Sequence, residues 1–93
     1  MWIITVDHIA DFDADFPSNA NAVGMIGPAD ANPADAGKCI YPFKMYDDDH
    51  NLYYEGKSSE HGSFDPLDDF GEPNAGAAYI KYRNQISGVW EIL

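Results

Sequence analysis

The run Asp47-Asp48-Asp49-His50-Asn51 places three carboxylates, an imidazole and an amide at five consecutive positions, and oxygen donors at that density suggest a cation site. Asp47, Asp49 and Asn51 occupy the first, third and fifth places of an EF-hand-like calcium loop, where alternate oxygens converge on the ion. The sixth place is Leu52 instead of Gly and the twelfth is Ser58 instead of Glu, so the sharp bend and the bidentate ligand are missing. An acidic hairpin turn explains the same residues, because Asp and Asn favour tight turns by bonding their own backbone. Asp68-Asp69, set between Leu67 and Phe70, is the second pair to weigh. Partial burial of one carboxyl would suit it to hydrolytic acid–base work, whereas a solvated helical turn is the plainer reading. With sixteen acidic residues in 93, some carboxylates must lie at the separation glycosidases use, so their number carries little information.

Other chemistries find less support. His8, His50 and His61 have no second His or Cys at zinc-ligand spacing. Cys39, the single cysteine, excludes an internal disulfide and reads as a small apolar residue on a buried strand face. There is no Gly-x-Ser-x-Gly elbow and no glycine-rich phosphate loop. The chain is therefore read as non-catalytic and without a cofactor. A cation-binding or small hydrolytic domain centred on Asp47–Asn51 or Asp68-Asp69 is the alternative.

Charge narrows the partners further. Five basic residues leave a formal net charge of −11, and residues 1–37 contain no Lys or Arg. Such a field repels nucleic acid and anionic membranes and attracts basic protein surfaces. Asp11, Asp13 and Asp15 alternate with apolar residues; on an extended segment they would project from one side about 6.6–6.8 Å apart. A row of this kind, joined by Asp47, Asp48 and Asp49, can imitate a nucleic-acid backbone, with Tyr46 and Tyr53 as aromatic anchors. Charges on a solvated edge that discourage sheet-to-sheet aggregation account for the same pattern. The expected partner is a basic protein surface, with no direct nucleic-acid contact and no membrane, for a monomer or small oligomer. The amino-terminal stretch lacks a positively charged region and is broken by Asp7, so a cytoplasmic location is expected.

The elements that would position these groups follow from alternation. Hydrophobic residues are 45% and aromatics 14% of the chain, enough for one folded domain over 1–93. Trp2 to Ile9 reads as a strand, with Trp2, Ile4 and Val6 on one face and Ile3 and Ile9 on the other, covered on both sides. Residues 17–37 form a long surface loop pinned near Val23 to Ile26. Cys39, Tyr41, Phe43 and Met45 alternate, and Leu52 to Glu55 resumes after the acidic run. That predicts a hairpin in which His50 or Asn51 takes the positive φ. Pro42, lacking an N–H, predicts an edge or a bulge.

Farther along, Phe64 to Gly71 reads as one helical turn with Asp65 as N-cap, Pro66 first in the helix and Gly71 at its end. Pro73, Asn74 and Gly76 then return the chain to extended structure. Ala78, Ile80 and Tyr82 face one way and Lys81 and Arg83 the other, and Val89 to Leu93 pairs back with Trp90 and Ile92 inward. The predicted fold is mainly β (α+β at most). It has a single antiparallel twisted sheet of about five strands, two hairpins, one short helical turn and a long acidic loop, one face being covered by residues 10–37 and 64–71.

Two strings carry a resemblance: Tyr46-Asp47-Asp48-Asp49-His50-Asn51-Leu52-Tyr53-Tyr54-Glu55-Gly56, and Pro66-Leu67-Asp68-Asp69-Phe70-Gly71-Glu72-Pro73-Asn74-Ala75-Gly76. With Asn21-Ala22-Val23-Gly24 and Trp90-Glu91-Ile92-Leu93 they make most of the chain similar to small uncharacterised bacterial proteins of about this length. The chain departs from them at His50, where Gly is expected, and at Ala77, where Cys is usual. The resemblance implies a compact domain and carries no activity, cofactor or site residue with it.

Overall fold

The computed structural model describes residues 1–9 and 22–93. Its strands are β1 (Trp2–Asp7), β2 (Ile26–Gly27), β3 (Tyr41–Tyr46), β4 (Leu52–Ser58), β5 (Tyr79–Arg83) and β6 (Trp90–Ile92). They form one six-stranded sheet in the order β2-β1-β4-β3-β5-β6, and each neighbouring pair is antiparallel. A 3₁₀ helix, Pro33–Lys38, precedes β3. A π-helical turn, Leu67–Gly71, runs directly into α1, Glu72–Ala75, between β4 and β5. Both hairpins form where alternation places them, and the fold is mainly β as predicted. The additional strand is β2, at the pinned spot of the long loop.

The core lies on one face of the sheet. Trp2 and Ile4 of β1, Phe43 and Met45 of β3, Tyr54 of β4, and Ile80 and Tyr82 of β5 pack against Leu67, Phe70 and Ala77. Among residues 22–37 only Ala22 joins this cluster, so among the described residues the cover is the helical segment and not the long loop. Phe70 is the centre of that cover, its ring 5.4 Å from Trp2 and 4.9 Å from Tyr54. Trp2 Nε1 donates to Asp69 at 3.3 Å, fastening the π turn to β1.

Four local expectations are corrected. In β1 the register passes from Ile4↔Gly56 to Val6↔Glu55, a bulge that skips Thr5. One extra residue reverses the faces beyond it, so Val6 turns outward and Asp7 turns into the core side opposite Tyr54. There Asp7 accepts from the N–H groups of Ile9 and Ala22 at 3.0 and 2.9 Å. Gly71 does not end the helical segment, and Pro73 and Asn74 lie inside it. Pro73 falls in the first turn of α1, where no N–H is needed, and the left-handed residue that stops the helix is Gly76, at φ 72°.

Trp90 and Ile92 are not inward. The pairs Arg83↔Trp90 and Lys81↔Ile92 put both on the opposite face. That register is set by a turn in which Asn84 Oδ1 accepts from Ile86 and Ser87 and Gly88 sits at φ 75°. Finally, Pro42 lies on an interior strand, β3 being flanked by β4 and β5, but at Pro42 itself the strand is paired on the β4 side alone. The β3–β5 ladder begins one residue later, at Phe43↔Tyr82, so no bond to β5 is missing at Pro42.

Burial of Tyr82 leads to a pH prediction. Its hydroxyl donates to the Ser63 carbonyl at 2.7 Å, and desolvation pushes its pKa up to about 12 from 10.0. A phenol raised in the folded state contributes stability that is complete below the unfolded pKa and lost as pH rises through the folded one. The melting temperature should therefore fall between pH 10 and 12, for a loss on the order of 1–2 kcal/mol. In Tyr82→Phe the fall should be shallower, with Tyr54, also raised by burial, supplying what remains. An identical alkaline profile in that variant would count against the assignment.

Candidate functional site

The β3–β4 turn is built by Asp47. Its carboxylate accepts from the N–H of Asp49 at 2.9 Å, from the N–H of Asn51 at 2.8 Å and from Asn51 Nδ2 at 3.0 Å. These bonds, the Asn51 amide first and the Tyr53 hydroxyl among the others, hold the Asp47 carboxyl below the usual carboxylate range. His50 closes the turn at φ 66°, as the hairpin reading predicts, and no glycine is needed there. Asp47 is thus occupied in ordering its own turn, while Asp48 and Asp49 are exposed at the tip. Among the described residues, no group of three or more His, Cys, Asp or Glu could hold a metal.

Beside the tip stand aromatic side chains that the sheet assembles from two hairpins. Tyr46 pairs with Tyr79 across β3 and β5, and their rings stack at 5.1 Å with an interplanar angle of 10°. His50 Nδ1 lies 2.7 Å from the Tyr79 hydroxyl. Tyr46, Asp47, Asp48, Asp49, Asn51 and Tyr53 therefore share one end of the molecule. Tyr79 is the residue that sequence reasoning missed. Alternation in β5 turns it outward, but only the β3–β5 pairing shows that it meets Tyr46. Asp11, Asp13 and Asp15 lie outside the described residues. Asp68 and Asp69 lie on the exposed side of the π turn, on another element.

The face of the sheet opposite the core has a different character. Strand alternation and pairing place Lys44, Lys57, Lys81 and Arg83 on it, four of the five basic residues of the chain. Lys44 and Lys81 are directly opposite one another, an arrangement of like charges that costs stability. Glu55 faces Lys44 from β4, yet its carboxylate is bound to His8 at 2.8 Å. The other ion pair among the described residues is Lys38–Asp35, away from this face. The two lysines lie over rings instead: Lys44 Nζ is 4.4 Å from the centre of Trp90, and Lys81 Nζ is 5.0 Å from that of Tyr46.

No protein-family model, no curated protein and no solved structure matches the chain. Among the described residues, no helix is long and apolar enough to cross a membrane.

Proposed function

We propose that the protein is a small non-catalytic protein-binding module that receives a basic surface of its partner at the β3–β4 end of the sheet. The observation that supports this best is the combination at that end: Asp48 and Asp49 exposed on a turn pinned by Asp47, beside the stacked Tyr46–Tyr79 pair. Aromatic rings held by packing lose little entropy on binding and act as anchors, and a charged rim steers and orients the partner. The most concrete version is a nucleic-acid mimic that occupies the groove of a DNA- or RNA-binding protein, with Asp11, Asp13 and Asp15 extending the row of charge.

The test uses the whole protein as bait in a lysate of its source. Proteins with basic surfaces should be retained at low salt and released at high salt, because the contacts are screened. With Asp48→Lys and Asp49→Lys together, retention should fall by about tenfold or more while the melting temperature stays close to that of the parent. Retention of the same proteins by the double variant would reject the turn as the contact. Unaltered retention after Asp11, Asp13 and Asp15 are all changed to Lys would reject the mimic version.

A further inference from the structure

Four cations lie on one face of a protein of net charge −11, with no carboxylate bound to them among the described residues, and rings hold Lys44 and Lys81. A lysine pair directly across a ladder is unfavourable, and one acidic residue in place of either lysine would remove the repulsion. The face continues into a groove of about 570 Å³ between the start of β3 and the β5–β6 turn. Ile40, Pro42 and Ile86 give this groove apolar walls and Arg83 supplies its charge. Ile40 and Ile86 are 61% and 99% exposed, so none of the described residues covers these walls. The groove opens where the β3–β5 ladder stops, beside Pro42. Gly88 lets the Arg83 side chain lie close: a Cβ there would stand 3.3 Å from Nη2.

We propose that this face and groove form a second binding site, for an extended acidic segment of a partner protein that carries an apolar residue next to alternating carboxylates. Lys81 and Arg83 project from one side of β5 two residues apart, about 6.6–6.8 Å, the repeat at which an extended peptide presents every second side chain. The planar guanidinium of Arg83 matches a carboxylate with two parallel hydrogen bonds, and the isoleucine walls receive the neighbouring apolar side chain. Single-stranded nucleic acid fits less well. Base stacking needs open ring faces, but Lys44 and Lys81 lie over Trp90 and Tyr46, and Tyr46 and Tyr79 cover each other. This site is separate from the acidic turn and does not depend on it.

The experiment is amide NMR of the isotope-labelled protein titrated with a synthetic octapeptide that begins with leucine and alternates glutamate with serine. The same peptide with glutamine for glutamate, and an oligothymidylate of similar length, are run in parallel. The glutamate peptide is expected to give saturable shifts confined to residues 40–44 and 81–90. Arg83→Glu, or Arg83→Gln if the reversal disturbs the fold, should weaken its binding by about tenfold or more. The Asp48→Lys, Asp49→Lys protein should bind it at least as tightly as the parent. Absence of saturable shifts, equal binding of the glutamine peptide, or indifference to both Arg83 variants overturns the proposal. Stronger shifts of the same residues by oligothymidylate overturn it in favour of nucleic acid.

Discussion

Gly56→Ala is expected to remove a large part of the folding stability. Gly56 lies in the middle of β4, opposite Ile4 on one side and Phe43 on the other. A Cβ at this position would overlap the Ile3 carbonyl oxygen and the edge of the Phe43 ring. Phe43 is fully buried, so its ring has no solvent-side space to enter, and the Ile3 oxygen belongs to the neighbouring strand of the ladder. Overpacking typically costs about 1–3 kcal/mol when only side chains must adjust, and here the backbone of β1 has to move as well. A loss of about 4 kcal/mol or more is expected, against a total of roughly 5–10 kcal/mol for a domain of this size. Urea unfolding followed by circular dichroism gives the measurement. Adding Phe43→Leu should recover part of the loss, since it withdraws one of the two obstacles. A Gly56→Ala protein with the parent's midpoint would show that the strands do not approach this closely.

Phe70→Ala should cost about 3–5 kcal/mol, the usual penalty for removing a buried aromatic ring. The size of the effect follows from how little covers the sheet. Among the described residues the core face is closed mainly by Leu67 and Phe70 of the helical segment, with Ala77 just beyond its end and Ala22 beside them, and Phe70 meets the rings of both Trp2 and Tyr54. Without it, Trp2 loses its packing partner, and the near-ultraviolet dichroism of the buried indole should collapse even where the far-ultraviolet sheet signal survives. Ile86→Ala is the control: that side chain is 99% exposed and its loss should leave stability unchanged. A Phe70→Ala protein within about 1 kcal/mol of the parent would mean that the helical segment is not the lid of the core.

The two proposed binding surfaces were unequally legible. The acidic turn could be read directly: Asp47 to Asn51 interrupts an alternating pattern, and local chemistry within five residues is enough to make a turn with His50 at positive φ. The basic face could not be seen in this way. Lys44, Lys57, Lys81 and Arg83 are scattered through a sequence dominated by acid, and the net charge concealed them. Only the pairing of β3 with β5 sets Lys44 against Lys81, and only the β5–β6 register brings Trp90 beneath Lys44. The misreading of Trp90 shows the mechanism. Its inward assignment assumed a pairing phase that the turn at Asn84 to Gly88 does not produce, and a change of one residue reverses every side chain beyond it. The Thr5 bulge did the same to Val6 and Asp7.

Sequence alone determined which of the longer segments are extended, where the two hairpins turn, and that the molecule carries a strong negative charge. Each of these depends on neighbours a few residues apart: side-chain alternation, turn-forming Asp and Asn, and a simple balance of ionisable groups. Tertiary structure decided the rest. Strand order, the phase of each ladder and the choice of covered face arise from contacts between residues far apart in the chain. Those contacts are selected by how rings such as Phe70 and Phe43 fit together, and that fit has no signature in a local pattern.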